Sequence, residues 1–213
     1  MQENATPYWM AFAHAKGFVT SRKMDFLIAV VHEGGVGFVK AMNSIRNGDR
    51  CGFEFSAKEL EGLINELSEL QNYSFLLEEI ESAGISCINI LDKLVYPKSL
   101  KLNLKKNAPI VIYFKGNLQM LQSKSIAIVG ARKCGKLSLD FTDTIARSAV
   151  GSNKVVVSGG AKGVDLRALE ATLSNGGKTI MVLPQGLLTY KSKTYYKSIV
   201  SGDLLILSTY HPK

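Results

Sequence analysis

Six short apolar runs between residues 85 and 208 constrain the fold of this chain more than any other feature. They are rich in β-branched residues, and they read ISCINIL, PIVIYFKGN, SIAIVG, KVVVSGG, KTIMVLPQG and DLLILS. Their apolar positions are continuous rather than alternating, which is typical of strands buried on both faces of a parallel sheet. Three gaps after residue 130, at about 136–150, 163–175 and 192–200, are long enough for a helix. The pattern predicts an α/β fold, in which a Rossmann-like doubly wound parallel sheet carries helices on either side.

The first 84 residues predict helices instead of strands. Ser56 and Glu59 have the spacing of a capping box, and apolar residues recur after them at helical intervals up to Leu70. A further helical stretch, SFLLEEIESAG, ends at Gly84. We therefore expect a helical N-terminal domain over 1–84, a connector and first strand over 85–109, and the Rossmann-like domain over 110–213.

Charge is segregated along the chain, whose formal net charge is +8. Residues 1–99 carry 9 Lys and Arg against 13 Asp and Glu, whereas residues 100–213 carry 17 against 5. An excess of +12 in the second half favours a polyanionic partner, above all a nucleic acid.

Several other classes of protein are disfavoured. No apolar run reaches the roughly 18 residues of a membrane helix, and the N-terminus lacks the pattern of a signal peptide. The three cysteines and three histidines are scattered, without the spacing of metal ligands. We therefore expect a cytoplasmic protein with reduced thiols, no membrane association, no metal and no cofactor.

Glycines and cations meet at the carboxyl ends of three predicted strands, which read GARKCGK, SGGAKGVD and PQG. Glycines allow a ligand to approach the backbone, and N–H groups at helix starts bind anions. We predict a phosphate-binding surface here, although tight strand-to-helix turns alone would also require some glycines. Asp165 is expected to bond backbone N–H groups and hold the second loop in shape. The predicted binding residues are Gly130, Ala131, Arg132, Lys133, Lys136, Ser158, Gly159, Gly160, Ala161, Lys162, Gly163, Asp165 and Lys191.

The stretch from Gly130 to Ser138 also resembles a nucleotide-binding P-loop, G-x-x-x-x-G-K-[ST]. Leu137 stands where that loop needs a hydroxyl to ligate magnesium, and no later strand ends in the acidic residue that would hold the metal. Asp165 is the one carboxylate at these strand ends, and no general base is evident. We therefore expect no ATPase and no catalytic residues.

An ordered set of motifs resembles one protein family. IAIVGAR followed by VVVSGGAKGVDLRALEATLSNGGKTIMVLPQGL is similar to the DNA-processing protein A family, also called DprA or Smf. The upstream segment DKLVYPKSLKLNLKKNAPIVIYFKGN and the opening YWMAF resemble further parts of that family's pattern. The resemblance thus spans nearly the whole chain.

The resemblance implies single-stranded DNA binding on a basic patch of an extended Rossmann domain. It also implies a homodimer that hands the strand to the recombinase RecA, in DNA uptake and natural transformation. The positions that match the family's loops are Gly130, Ala131, Arg132, Ser158, Gly159, Ala161, Gly163 and Asp165.

The chain departs from the family's pattern at several positions, among them Leu169, Lys191 and Thr209. It also ends at Lys213, just past a fourth parallel strand, where the family normally continues. We therefore expect a divergent or C-terminally shortened member, in which DNA binding transfers better than RecA loading.

Two other functions remain open. A nucleotide-binding sensor could use a related fold, although LPQGLLTY lacks the P-G-G-x-G-T loop and the glutamate of similar phosphoribohydrolases. A protein-interaction scaffold with an acidic helical half is the third possibility. Tyr190, Tyr195 and Tyr196 are predicted either to stack on bases or to belong to the core.

Overall fold

The computed structural model describes residues 4–213, apart from the side chain of Ser192. The first part of this range is helical. Its α-helices are α1 (Thr6–His14), α2 (Thr20–Phe26), α3 (Phe38–Arg46), α4 (Ala57–Ser68) and α5 (Leu70–Ser82). A π-helical segment, Leu27–Glu33, continues directly from α2.

The predicted capping box at the start of α4 is confirmed. The Glu59 N–H donates to the Ser56 hydroxyl at 3.3 Å, and the Ser56 N–H donates to the Glu59 carboxylate at 2.9 Å. Two otherwise unpaired N–H groups are thereby satisfied, which fixes where the helix begins. Aromatic rings fill the core of the helical part, where Trp9 stacks on Phe38 with ring centroids 3.6 Å apart.

All six predicted strands are present. They are β1 (Ser86–Asn89), β2 (Val111–Lys115), β3 (Ser125–Ala127), β4 (Val155–Ser158), β5 (Thr179–Val182) and β6 (Leu204–Ser208). They form one sheet in the order β1-β2-β6-β5-β4-β3, in which β3 to β6 are parallel and β2 is antiparallel to β6. The predicted Rossmann-like α/β class is confirmed, with one antiparallel strand joined to the parallel ones.

The later helices are α6 (Lys98–Leu104), α7 (Lys136–Gly151), α8 (Val164–Ser174) and α9 (Tyr196–Val200). Since β3, β4 and β5 are consecutive neighbours, right-handed crossovers place α7 and α8 on the same face of the sheet. This refines the predicted doubly wound arrangement, because these two crossovers wind in one direction. Small residues let the two helices pack closely on β3 and β4, around Ile128, Ala146, Ala149, Val156, Ala168 and Ala171.

The chain divides into two compact units. Among the described residues, one unit contains those up to Ala83 together with Cys87–Ile112, and the other contains Gly84–Ser86 and Tyr113–Lys213. The second unit contains the four parallel strands, α7 and α8, and therefore all the loops predicted to bind phosphate.

Candidate nucleic-acid interface

Three loops lie at the carboxyl ends of neighbouring parallel strands and form the surface that we call the carboxyl rim. They are Gly130–Gly135 after β3, Gly159–Gly163 after β4 and Pro184–Gly186 after β5. Because β3, β4 and β5 are adjacent in the sheet, the structure brings the predicted loops together on one edge.

Asp165 connects the first two loops. One of its carboxylate oxygens accepts the Gly130 N–H at 3.0 Å, and the other accepts the Gly159 N–H at 3.2 Å. The residue lies in the first turn of α8 and is only 9% exposed. A carboxylate is also favoured at this position by the positive end of the helix. Asp165 therefore holds the loops in shape, as the sequence predicted.

Two glycines of the rim leave no room for a side chain. A Cβ atom on Gly130 would lie 2.9 Å from Val164, and one on Gly163 would lie 2.2 Å from the Ala131 carbonyl oxygen. Gly163 also has a φ of +90°, which side chains disfavour. The Val164 N–H donates to that same Ala131 carbonyl at 3.2 Å, so the first loop rests directly against the start of α8.

Ser158 contributes differently from its neighbours. Its side chain is buried, and its hydroxyl donates to the Ile128 carbonyl oxygen at 2.7 Å. The bond connects the ends of β3 and β4, which are already paired in the sheet. The structure therefore gives this predicted site residue an observed role in fixing the strand ends.

The cations of the rim are unpaired. Arg132, Lys133, Lys136 and Lys162 are exposed, and none forms an ion pair or side-chain hydrogen bond with a residue in the range 4–213. Arg167 on α8 differs, because its guanidinium forms a two-pronged salt bridge with Asp143 on α7. Hydrogen bonding to Arg167 lowers the pKa of Asp143 from its ordinary value. The four rim cations lack such a partner and are available to an external anion.

The start of α7 adds backbone donors to the rim. Gly135 is its N-cap, no side chain caps the helix, and the position of a Gly135 Cβ would be in open space. The first N–H groups of a helix lack a carbonyl partner one turn earlier and attract anions, although the Ser138 N–H already donates to the Gly135 carbonyl at 3.1 Å. This end of the helix therefore reinforces the neighbouring Lys133 and Lys136.

The tyrosines after β5 divide between the two predicted roles. Tyr190 and Tyr195 are partly buried, and burial raises the pKa of both hydroxyls. Tyr196 is 65% exposed, and so is available for stacking. Lys191, the remaining predicted cation, is exposed and directly follows Tyr190 in the chain.

Sequence reasoning noted Ser208 only as a strand end and did not single out Tyr210, which lies two residues after the end of β6. The Ser208 hydroxyl donates to the Gln185 carbonyl at 2.7 Å and accepts the Tyr210 N–H at 3.1 Å. Tyr210 is 55% exposed on this fixed backbone. Its position directly after a strand that ends at the same edge could have identified it.

The arrangement can bind anions. Both oxygens of Asp165 are occupied by N–H donors, so it is not placed as a general base. Within residues 4–213, no group of His, Cys, Asp and Glu side chains is arranged to hold a metal ion. The same range contains no helix that combines the length and apolarity required to cross a bilayer.

Comparison with known proteins identifies the family. The model of a family described as DNA recombination-mediator protein A matches residues 87–213. The chain belongs to this family. The resemblance to DprA and Smf proteins predicted from the loop motifs is thereby confirmed.

Two curated relatives of this recombination-mediator family show how much is shared. DNA processing protein DprA of Streptococcus pneumoniae is 37% identical over 108 residues, which are 50% of this chain and 38% of that protein. Protein Smf of a Synechocystis species is 26% identical over 219 residues, covering 99% of this chain and 52% of that protein. The chain therefore spans about half, or less, of the length of these relatives.

The recombination-mediator fold itself is shared with a solved structure. The X-ray structure of DNA processing protein A from Streptococcus pneumoniae matches with a TM-score of 0.68 at 24% identity. The match covers 98% of this chain and 70% of that one. Both compact units of the chain therefore have counterparts in a known fold.

Proposed function

We propose that the chain binds the phosphate backbone of single-stranded DNA at the carboxyl rim, without strong sequence preference. The observation that carries this proposal is the set of four exposed, unpaired cations on two glycine loops that Asp165 holds together. Membership of the recombination-mediator family supports DNA as the polyanion. The protein then acts in DNA uptake or recombination as a binding protein rather than an enzyme.

The rim residues have different roles in this proposal. Arg132 grips a phosphate with the two prongs of its guanidinium, whereas Lys133, Lys136 and Lys162 act as point charges. The glycines let the DNA strand approach the protein backbone closely. Asp165 and Ser158 act on DNA through the shape of the loops, because their side chains are buried and bonded to backbone groups.

Exposed tyrosines support a preference for single strands. Tyr196 and Tyr210 present their rings to solvent after β5 and β6. The face of an unpaired base can stack on such a ring, and this stacking tolerates any sequence. In a duplex the base faces are covered by their neighbours, so these rings favour the single strand.

The proposal is tested by fluorescence anisotropy with a labelled 20-mer of thymidine, a mixed-sequence 20-mer and the matching duplex. Affinity should fall linearly on a log–log plot against salt, and four phosphates neutralised at the rim should contribute about −3 to the slope. Arg132→Ala should weaken all single strands alike by about tenfold, since it removes charge-assisted hydrogen bonds. Arg147→Ala, an equal change of charge at an exposed position of α7, should alter affinity less than about twofold.

Two outcomes would contradict the proposal. One is an affinity that does not respond to salt or to Arg132→Ala. The other is stabilisation by a mononucleotide without any DNA binding, which would favour a nucleotide sensor instead.

The proposal includes two partners and a location. We infer that the chain forms a homodimer and delivers single strands to RecA, in the cytoplasm where that DNA is handled. Membership of a family described as a recombination mediator supports a recombinase as partner, and a dimer is supported by an exposed apolar face beside the edge strand β3, at Val129, Leu137 and Phe141. Light scattering should show a dimer that Phe141→Glu disrupts.

RecA loading should appear as faster RecA assembly on strands coated with a single-strand binding protein.

A further inference from the structure

Three lysines lie at the opposite, amino end of the same parallel strands. Lys124, Lys154 and Lys178 directly precede β3, β4 and β5, which are adjacent in the sheet. The register pairs Ser125 with Val155, so Lys124 lies beside Lys154, and it places Lys178 beside Val155. Since neighbouring strands are about 4.8 Å apart, the three lysines start from a stretch of backbone about 10 Å wide.

These lysines line a concave surface that we call the lysine cleft. It has a volume of about 630 Å³ and is lined by Ser123, Lys124, Val150, Ser152, Asn153, Lys154, Val155, Gly176, Gly177 and Lys178. The lining contains three cations and no carboxylate. None of the three lysines forms an ion pair or side-chain hydrogen bond with a residue in the described range.

Helix ends account for part of this positive charge. α7 ends at Gly151 and α8 ends at Ser174, so the carbonyl ends of both helices lie close to the lysines in sequence. A helix end carries about half a negative charge, so the two together offset about one of the three cations. About two positive charges remain. Asp203 lies beside Lys178 in the register, but it is not among the residues that line the cleft, and it forms no ion pair with a residue in the described range.

Backbone donors of the cleft are already in use. The Asn153 N–H donates to the Val150 carbonyl, the Lys154 N–H to the Ala149 carbonyl, and the Gly177 N–H to the Thr172 carbonyl. An anion in the cleft is therefore held by side chains, chiefly the flexible ammonium groups, with Ser123, Ser152 and Asn153 as further polar groups of the lining. Such groups suit the phosphates of a polyanion, which need charge more than a fixed hydrogen-bonding geometry.

We propose that the lysine cleft is a second phosphate-binding site, occupied by another stretch of a single strand's backbone. The choice of single-stranded DNA as the occupant rests on the proposed function, whereas the existence of a second phosphate-binding site goes beyond that function. Free polyphosphate carries the same chemical groups and is the other source of such a ligand. The parallel sheet then binds phosphates at both ends of its strands.

The site is located by amide NMR shifts of the full chain, with inorganic tripolyphosphate and a thymidine 10-mer as separate probes. We expect both probes to shift the amides of Asn153, Gly176 and Gly177. Shifts at Gly130 and Gly159 report the carboxyl rim separately, so failure of the proposed function is distinguishable from failure of this one. Shifts in the cleft with tripolyphosphate alone would support the site and identify free polyphosphate as its ligand.

A matched pair of triple variants tests the lysines themselves. Lys124→Ala/Lys154→Ala/Lys178→Ala should abolish the cleft shifts and reduce the salt slope for the 10-mer by about 2. Lys16→Ala/Lys40→Ala/Lys98→Ala removes the same charge from exposed positions of the other unit and should change the slope by less than about 0.5. Circular dichroism melting establishes that both variants fold. Equal slopes for the two variants, or no cleft shifts with either probe, would overturn the proposal.

Discussion

The carboxyl rim and the lysine cleft are opposite ends of the same parallel strands, and they are positive for different reasons. At the rim, α7 and α8 begin, and the positive ends of their helix dipoles add to the charges of Arg132 and the lysines. At the cleft the same helices end, so the lysines act against the helix carbonyls. Positive charge at the rim therefore comes from side chains and helix dipoles together, while positive charge at the cleft comes from side chains alone.

This difference separates geometry from electrostatics. The rim is fixed by Asp165 and by glycines that no larger residue can replace without moving the loops. The cleft contains one open and one enclosed glycine: a Cβ on Gly176 would meet nothing within 4 Å, although its φ of +71° still favours glycine, whereas a Cβ on Gly177 would lie 2.4 Å from Val150. The rim loops, unlike the cleft lysines, are joined by a buried carboxylate, so loss of that bridge should harm the rim, whereas the cleft should respond mainly to changes of charge.

The largest effect is expected at the carboxylate that connects the rim loops. Asp165→Ala leaves the Gly130 and Gly159 N–H groups without their charged acceptor and should reduce the free energy of unfolding by about 4 kcal/mol. Urea denaturation measures the change. Asp140→Ala removes the same charge from an exposed position of α7 and should cost less than about 0.5 kcal/mol. Equal losses would show that charge, rather than the bridge, matters at the rim.

A buried lysine in the helical part of the chain contrasts with the exposed lysines of the cleft. Lys23 is 4% exposed, and its ammonium donates to the carbonyls of Ala13 and Ala15 at the end of α1. Burial lowers the pKa of Lys23 to about 8, from an ordinary value of 10.5. Between these two pH values the unfolded chain holds a proton that the folded chain lacks, so stability should increase as pH rises through this window.

The contribution of Lys23 should grow by on the order of 3 kcal/mol across this window, measured as the difference in unfolding free energy between the chain and Lys23→Met. A difference is needed because burial raises the pKa of Cys87 to about 12, which lowers the stability of both proteins over the same pH range. Urea denaturation from pH 7.5 to 10.5 measures it. Lys16→Met, at an exposed position, should keep the increase. The same pH dependence in Lys23→Met would show that another group is responsible.

The smallest effect is expected when charge-preserving substitutions are compared at the two ends of the sheet. Arg132→Lys keeps the charge but loses the two-pronged guanidinium, and should weaken single-strand binding several-fold. Lys124→Arg, which also keeps its charge, should change affinity less than about twofold, because the cleft is expected to need charge alone. Anisotropy at one fixed salt concentration is sufficient. Equal responses would remove the distinction between the two ends.

Local patterns predicted most of the fold. The apolar runs located all six strands, the Ser56–Glu59 spacing located the start of α4, and the gap at 136–150 contains α7. These features depend on residues close together in sequence. The antiparallel direction of β2 was not predicted, because an apolar run is the same in either direction. The π-helical Leu27–Glu33 was also missed, because the sequence SRKMDFLIAVVHEG that contains it predicts only an ordinary helix with an apolar stripe.

The site could be predicted where all the residues that matter lie in one loop of the sequence. The glycines, the cations and the loop-holding role of Asp165 could be inferred from strand ends. The partner of Ser158, which lies 30 residues away, could not be inferred from sequence. The lysine cleft was missed for a similar reason, because Lys124, Lys154 and Lys178 are separated by whole helices and strands and are brought together by the strand order. A lysine before each of three strands was the available signal.

The hydrogen bonds made by Asp165 also determine at what stage of folding the rim forms. Its two partners lie 35 and 6 residues earlier in the chain, on loops that follow different strands. During synthesis neither loop can reach its final conformation until Asp165 has emerged from the ribosome and β3 has paired with β4. The rim is thus assembled late, and a nascent or partly unfolded chain should not capture DNA there prematurely.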